Sequence, residues 1–139
     1  MNKLDLLKPK VKRLAEELIK SCKKEKIKIL ITQTLRAKEE QDILYAQGRT
    51  TKGSIVTNAK GGYSYHNFGV AFDFCPMVEG KPAWKNKKLF KQVGNLGVSL
   101  GLEWGGNWKT FQDLPHFQYR AGYTLKDFRN DKIDEDKFI

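Results

Sequence analysis

Histidine and cysteine are scarce in this chain, with two of each among its 139 residues. The cysteines, Cys22 and Cys75, form neither a C-x-x-C pair nor the spacing of a zinc finger. A disulfide framework is therefore not expected, which fits a reducing compartment.

Long apolar runs are also missing. No stretch of about 18 apolar residues occurs, so the sequence predicts no transmembrane helix. The first eight residues lack the apolar core of a signal peptide. We therefore expect a protein that is made in the cytoplasm, and another component must release it if its substrate lies outside.

Acidic residues are too few to balance the basic ones, and the imbalance is uneven. The net charge is +10: residues 1–60 hold 15 basic and 7 acidic side chains, a net +8, and the remaining 11 basic and 9 acidic side chains give +2. This asymmetry indicates a polyanionic partner, either nucleic acid or an anionic polymer of the bacterial envelope, or else it serves solubility alone. The length and the 40% hydrophobic content predict one globular domain with a real core.

The most distinctive stretch runs from Ser64 to Asp73 and reads Ser-Tyr-His-Asn-Phe-Gly-Val-Ala-Phe-Asp. Val70–Phe74 is typical of a short apolar strand, and Asp73 is its single charged residue. Burying a carboxylate costs free energy unless it is paired or bound to a metal. His66 precedes the strand in a turn whose tight backbone path Gly69 permits.

The other histidine, His116, lies in the sequence Asp-Leu-Pro-His-Phe-Gln at positions 113–118. Two histidines and one aspartate can hold a catalytic zinc and leave one position for water, so His66, Asp73 and His116 are the predicted metal ligands. Each has an ordinary alternative, because a histidine can be a surface or core residue and Asp73 can pair with an arginine. Cys75 would point to the same side of a strand as Asp73 and is an alternative fourth ligand, although a catalytic zinc needs an open position.

These motifs resemble those of the M15 family of zinc peptidases, in two segments: Ser64-x-His66-x-x-Gly69-x-Ala71-x-Asp73 and Asp113-x-x-His116. The likeness covers about residues 27–119 and includes Gln33-Thr-Leu-Arg36, Glu40-Gln41, Tyr45–Thr50 and Val56–Gly62. It points to the endopeptidase branch, which contains the L-alanyl-D-glutamate endopeptidases of phage endolysins and bacterial cell-wall hydrolases.

The resemblance implies one zinc ion, a hedgehog-like (LAS-type) zinc-peptidase fold, and peptidoglycan as the substrate. It implies cleavage between L-alanine and D-glutamate, with removal of terminal D-alanine by a D,D-carboxypeptidase as the alternative within the family. The alternative from another class is a basic nucleic-acid-binding domain with a structural zinc. That alternative is disfavoured because structural zinc sites usually have four Cys-rich ligands.

Further residues receive roles from the resemblance. Arg36 matches an arginine that faces the substrate and steadies the oxyanion, since a guanidinium can offer two hydrogen bonds to one oxygen. Asp113 lies three residues before His116, where the family has its catalytic acid, and is the predicted general base; Glu103 is the competing carboxylate. The expected substrate contacts are Gln33, Ser64, Glu103 and Trp104.

Hydrophobic periodicity predicts an α+β fold, with a small antiparallel-rich sheet and helices on one side. Predicted helices span Leu4–Lys24, Ala37–Gln47, Trp84–Leu100 and Thr124–Phe128, and predicted strands span Ile27–Leu35, Val70–Phe74, Leu102–Trp104 and His116–Tyr119. Arg49–Tyr63 is predicted to be a loop that lines the cleft. The acidic tail, Asp131–Asp136, is predicted to be mobile.

We expect a monomer with one catalytic domain over residues 1–139 and no separate wall-binding module. No nucleic-acid partner and no membrane insertion are expected, whereas the basic surface should attract anionic wall polymers. If the gene comes from a phage, a holin-type route would bring this endolysin to the cell wall.

Overall fold

The sheet has five short strands, all paired antiparallel, in a computed structural model that describes residues 3–139. The strands are β1 (Lys28–Gln33), β2 (Ala71–Val78), β3 (Lys81–Pro82), β4 (Glu103–Trp104) and β5 (His116–Gln118). Their order across the sheet is β1-β2-β5-β4, and β3 pairs with the carboxyl end of β2. The long strand β2 therefore holds the sheet together.

Four α-helices occur among residues 3–139: α1 (Pro9–Lys24), α2 (Lys38–Ala46), α3 (Lys87–Ser99) and α4 (Leu125–Arg129). Helices α1 and α3 pack on each other and against the sheet. Pro9 is at the start of α1, where its missing N–H would have no helical partner anyway. The predicted α+β fold is confirmed. Within the described chain, no helix has the length and apolar character needed to cross a membrane.

The alternation of side chains along β2 and β5 separates the core from the site. Phe72 and Phe74 are fully buried, and their ring centroids lie 5.5 and 5.1 Å from that of Phe117 on β5. Asp73 lies between Phe72 and Phe74 on β2, and its direct register partner on β5 is His116, which precedes Phe117. Because neighbouring residues on a strand point to opposite faces, Asp73 and His116 share the face that α1 and α3 leave uncovered.

Two glycines of α3 allow the helix to approach the core face of the sheet. A Cβ atom on Gly94 would collide with the ring of Trp104, and one on Gly97 would collide with the ring of Phe117. Any larger residue would push α3 away from the sheet, because packed interiors leave no spare volume.

The β-branched residues of Ile27–Leu35 predict a buried strand, and this prediction is wrong. β1 forms one edge of the sheet, with Ile29 and Ile31 packed against the core and Leu30 46% exposed. The predicted amino-terminal helix is also shorter, since Lys3–Leu6 is a separate 3-10 turn before α1. A run of apolar residues indicates a strand but does not indicate how many strands lie beside it. The sequence therefore could not show that β1 is an edge strand.

Helix α2 buries a different face from the one predicted. Apolar spacing in Ala37–Gln47 predicts that Ile43 packs inward, but Ile43 is 72% exposed and Gln41 is fully buried. The partner of α2 is the Arg49–Tyr63 loop, whose apolar residues Ile55 and Val56 are themselves 57% exposed. Because the loop offers backbone carbonyl groups rather than an apolar surface, the buried side chain of α2 is one that can form hydrogen bonds. The spacing of apolar residues therefore did not identify the buried face of this helix.

The acidic tail was predicted to be mobile and is instead packed against the core. Residues Glu135–Phe138 form a 3-10 turn that inserts Phe138, which is fully buried, among aromatic rings. Glu135 also forms a 2.9 Å ion pair with Lys8, which precedes α1. A single buried aromatic residue therefore anchors a segment whose charge alone indicated disorder.

The strand that carries Asp73 extends further than predicted. β2 continues to Val78, and a turn at Glu79-Gly80, with positive φ angles of 52° and 75°, leads into β3. Helix α3 begins only at Lys87, because the side chain of Asn86 caps it by accepting a 3.1 Å hydrogen bond from the Leu89 N–H.

Candidate metal centre

His66, Asp73 and His116 come together on the open face of the sheet. Nε2 of His66 lies 3.2 Å, and Nδ1 of His116 lies 3.3 Å, from Oδ1 of Asp73. One ligand atom from each residue lies within 4.8 Å of the other two. Tetrahedral zinc with bonds of about 2 Å keeps its ligand atoms roughly 3.3 Å apart, so these three side chains fit one such ion.

The turn before β2 fixes the position of His66. Ser64 caps a 3-10 turn at Tyr65–Phe68 and accepts a 3.3 Å hydrogen bond from the His66 N–H. Gly69 ends this turn at a φ of +72° and accepts a 3.0 Å hydrogen bond from the Lys8 N–H, so the predicted role of this glycine is confirmed. Nδ1 of His66 lies 2.9 Å from the Thr34 carbonyl oxygen and donates to it, which leaves the lone pair on Nε2.

His116 uses the opposite ring nitrogen. Its Nε2 lies 2.8 Å from Oε1 of Gln118 and donates to that oxygen, so in the neutral ring Nδ1 keeps the lone pair that a metal would use. Gln118 is 5% exposed and follows His116 by two residues on β5, so both side chains point to the same face. Each histidine thus has a partner that fixes the tautomer a metal requires.

The electrostatics of the cluster also suit a cation. Burial alone would raise the pKa of Asp73. In the metal-free protein, Nδ1 of His116 and Nε2 of His66 donate to this carboxylate when their rings carry both protons, and these hydrogen bonds outweigh burial and hold the pKa of Asp73 well below its usual range. Asp73 is therefore an anion at every physiological pH, and its charge lies where the three ligand atoms converge.

A cleft of about 920 Å³ opens onto the cluster. Four of the other residues named from the sequence line it: Arg36, Ser64, Glu103 and Asp113. The loop Arg49–Tyr63 contributes Thr57, Ala59 and Tyr63 to the walls, so its predicted place beside the cleft is confirmed.

Asp113 is held near the candidate metal ligands by main-chain contacts. Its N–H donates a 3.0 Å hydrogen bond to the Gly105 carbonyl oxygen, and its own carbonyl oxygen accepts a 3.2 Å hydrogen bond from the His116 N–H. The residue is exposed at the cleft, yet the surroundings of its carboxyl group withdraw enough water to raise its pKa. Asp73 adds to this rise and His116 opposes it.

Arg36 reaches the cleft from the segment that joins β1 to α2. Its Nη1 donates a 2.8 Å hydrogen bond to Oε1 of the buried Gln41. Gln41 in turn donates a 2.6 Å hydrogen bond to the Ala59 carbonyl oxygen, which ties the cleft loop to the same network. The guanidinium is therefore oriented before any substrate arrives.

Glu103 lines the cleft, but its carboxylate is already paired. Nε of Arg120 donates a 2.8 Å hydrogen bond to Oε1 of Glu103. Arg120 therefore occupies the carboxylate of Glu103, whereas Asp113 forms no ion pair with a cationic side chain among residues 3–139. The geometry favours Asp113 over Glu103 as the proton acceptor.

Two predicted substrate contacts are not among the residues that line the cleft. Trp104 is 5% exposed, packs against Gly94 of α3, and donates a 2.8 Å hydrogen bond to the Leu114 carbonyl oxygen. Its place on β4 next to Glu103 puts it on the core face, because adjacent residues alternate. Gln33 lies opposite Asp73 at a register shift of β1 and donates to the Leu35 carbonyl oxygen at 3.3 Å.

The alternative fourth ligand, Cys75, is not part of the cluster. Its thiol is fully buried and donates to the Pro76 carbonyl oxygen, and burial raises its pKa. Cys75 and Cys22 are both free.

Sequence reasoning overlooked three residues that shape the site. Gln118 orients His116, Gln41 orients Arg36, and the ring of Trp108 lies 5.3 Å from that of His116. The two-residue spacing between His116 and Gln118 was a usable signal, since β5 was predicted as a strand. No comparable spacing links Gln41 to Arg36 or Trp108 to His116.

Three convergent candidate ligand atoms, a carboxyl group beside them and an oriented guanidinium form the arrangement expected of a metal-dependent hydrolase. A family profile described as D-alanyl-D-alanine carboxypeptidase matches residues 57–119, a segment that contains all three cluster residues.

Curated relatives name the branch. The chain is 42% identical over 121 residues to the peptidoglycan L-alanyl-D-glutamate endopeptidase CwlK of Bacillus subtilis (strain 168), covering 81% of this chain and 72% of that protein. It is 35% identical over 122 residues to the L-alanyl-D-glutamate peptidase of Listeria phage A118, covering 84% of this chain and 40% of the phage protein.

The fold has a counterpart among solved structures. The crystal structure of Serratia marcescens L-Ala D-Glu endopeptidase ChiX matches with a TM-score of 0.65 at 23% identity, covering 91% of this chain and 86% of that chain. The chain belongs to the M15 family of peptidases, and the resemblance in its motifs is confirmed.

Proposed function

We propose that this chain is a zinc-dependent endopeptidase that hydrolyses the bond between L-alanine and D-glutamate in peptidoglycan stem peptides. The observation that carries the proposal is the convergence of His66, Asp73 and His116 with Asp113 and Arg36 in one cleft. The two curated relatives are both named for this bond, which supports it as the target.

His66 would hold the zinc through Nε2, His116 through Nδ1 and Asp73 through Oδ1. A zinc ion held in this way supplies Lewis-acid chemistry, polarising a carbonyl group and lowering the pKa of water. Thr34 and Gln118 keep the two imidazoles in the tautomers that this role requires.

Asp113 is the general base and acid in this proposal. Its carboxylate accepts a proton from the attacking water and later returns the proton to the leaving amine. The partial removal of water from the carboxyl group, which raises its pKa, makes it a better proton acceptor than an ordinary aspartate.

Arg36 stabilises the oxyanion that forms as water attacks the scissile carbonyl. Gln41 holds its guanidinium with a 2.8 Å hydrogen bond, so little reorganisation is needed during the reaction. Ser64 and the Glu103–Arg120 pair line the same cleft and are proposed substrate contacts.

The working protein in this proposal is a monomer, and its catalytic domain acts on the cell wall. Its net charge of +10 attracts anionic wall polymers.

The test is digestion of purified peptidoglycan followed by mass spectrometry of the muropeptides. The proposal expects new amino termini on D-glutamate. A D,D-carboxypeptidase is the second candidate, because the matching family profile carries that description. Free D-alanine as the sole product would establish that candidate and refute the endopeptidase.

A further inference from the structure

A second surface stands apart from the cleft. Residues 81–91, which follow the hairpin turn and enter α3, contain five lysines and no acidic residue. All five are exposed: Lys81, Lys85, Lys87, Lys88 and Lys91. We call residues 81–91 the lysine–tryptophan surface, because Trp84 lies among these lysines.

Trp84 is 53% exposed, an unusual position for the largest aromatic side chain. One part of its ring is fixed, since it stacks on the buried Phe90 with centroids 6.3 Å apart and planes 27° apart. A shallow groove of about 840 Å³ runs along this ring and is bordered by Pro82, Lys85, Lys87 and Lys88. An anchored aromatic face beside a groove is suited to stacking on a flat ligand or a sugar ring.

The charge of this surface is not neutralised. Within residues 3–139, none of its five lysines forms an ion pair with a carboxylate. The nearest acidic residues in the sequence are Glu79, in the hairpin turn, and Glu103, which pairs with Arg120. A concentrated positive field with no internal partner favours an anionic polymer.

The surface is fixed to the same strand as the metal centre but lies away from it. β3 pairs with Met77 and Val78, and the Ala83 N–H donates to the Pro76 carbonyl oxygen. These β2 residues are three to five positions beyond Asp73, roughly 10–17 Å along the strand. A polymer bound here would not enter the cleft, yet it would keep the cleft close to that polymer.

We propose that the lysine–tryptophan surface binds an anionic sugar- or polyol-phosphate polymer of the cell wall and holds the enzyme against its substrate. The phosphates pair with the lysines, and the apolar faces of the polymer units stack on Trp84. The inference rests on the proposed function, because the wall is where the enzyme would meet such a polymer. An anionic membrane is less suited, since a single exposed tryptophan on a short segment offers no apolar helix face to insert.

The experiment compares two charge-matched triple variants. Lys85→Gln/Lys87→Gln/Lys88→Gln removes charge from the surface, and Lys20→Gln/Lys23→Gln/Lys24→Gln removes the same charge from exposed lysines of α1. Trp84→Ala is a third variant, and thermal melts confirm that each one folds. The probe is purified poly(glycerol phosphate), titrated at several salt concentrations.

The proposal expects the surface triple variant to bind the probe roughly tenfold more weakly or worse, with a reduced salt dependence. Trp84→Ala should also bind more weakly, and the α1 triple variant should bind nearly as the wild type does. Equal losses in both triple variants, or no loss in either, would overturn the proposal. Stronger binding of the same residues to single-stranded DNA or to vesicles with anionic lipids would overturn it in favour of that partner.

A second readout separates this inference from the proposed function. Hydrolysis of a soluble stem peptide should be unchanged in the surface variants, whereas digestion of whole walls should slow and should cease to depend on wall phosphate. If the wild type fails to cut the soluble peptide but binds the probe through these residues, the proposed function fails and the binding surface stands.

Discussion

Asp73 on β2 and His116 on β5 are direct register partners, and Oδ1 of the aspartate lies 3.3 Å from Nδ1 of the histidine. Two of the three proposed metal ligands are therefore set by the pairing of two strands. A shift of one residue in this pairing would turn His116 toward the core and bring Phe117 to the cleft. The aromatic core of Phe72, Phe74 and Phe117 prevents that shift, so core packing protects the site.

The first prediction concerns Gln118. Gln118→Leu removes the acceptor that keeps the proton of His116 on Nε2, so we expect zinc affinity to fall by roughly 10–100-fold. The affinity is measured by competition with a chromogenic chelator. Gln92→Leu, an exposed position on α3, is the control and should keep wild-type affinity. Unchanged zinc affinity in Gln118→Leu would show that Gln118 does not position the ligand.

The second prediction assigns the general base. Asp113→Asn should keep its zinc yet lose roughly 100-fold or more in kcat, the usual scale for a lost acid–base group. Glu103→Gln should retain most of its kcat, because its carboxylate is committed to Arg120. Both variants are assayed on a soluble stem peptide with zinc content measured alongside. An active Asp113→Asn beside an inactive, zinc-loaded Glu103→Gln would reverse the assignment.

The third prediction is a contrast between two carboxyl groups in the metal-free protein. Burial raises the pKa of Asp113 above the ordinary 3.8, whereas hydrogen bonds from His116 and His66 overcome burial and hold the pKa of Asp73 well below it. Carboxyl carbon NMR titration should therefore show Asp113 protonating first as the pH falls.

The signs of these two shifts have different consequences. A depressed pKa means that Asp73 stabilises the metal-free fold above the ordinary pKa, and this stabilisation is lost as the pH falls toward the lowered value. A base acts only when ionised, so activity should fall as the pH drops through the pKa of Asp113, and Asp113→Asn should lose this acidic limb. An Asp113 that titrates below Asp73 would contradict the description of the cleft.

The fourth prediction concerns the helix–sheet contact. Gly97→Ala introduces a methyl group where the ring of Phe117 lies, so we expect a loss of about 1–3 kcal/mol in the free energy of unfolding. Denaturant unfolding of the zinc-free protein measures this loss. Asn95→Ala, an exposed change on the same helix, should be nearly neutral. A fully stable Gly97→Ala would mean that α3 can move away from β5 at no cost.

The candidate metal ligands could be named from the sequence because their chemistry is carried by rare residues in a spaced motif. His66 and His116 are the only histidines, and a lone aspartate in an apolar strand leaves few interpretations. Strand alternation could also have excluded Trp104, since Glu103 and Trp104 must face opposite sides. Trp104 was wrongly predicted as a substrate contact because it is adjacent in the sequence to Glu103, which does line the cleft.

Other features depended on contacts that no local pattern records. The edge position of β1, the burial of Gln41 and the anchoring of the tail by Phe138 each require knowledge of what lies across space. The lysine–tryptophan surface was hidden for a different reason. The net charge of residues 61–139 is only +2, because acidic residues elsewhere in this half of the chain offset the five lysines of the segment.

The most direct test of the account is the metal dependence of bond cleavage in purified peptidoglycan. The wild type is stripped with a chelator, assayed by mass spectrometry for new amino termini on D-glutamate, and assayed again after one equivalent of zinc is restored. The account predicts no cleavage without metal, recovery with zinc, and neither zinc binding nor recovery for His66→Ala, Asp73→Ala and His116→Ala. Cleavage at the full wild-type rate by a protein shown to contain no metal would contradict it.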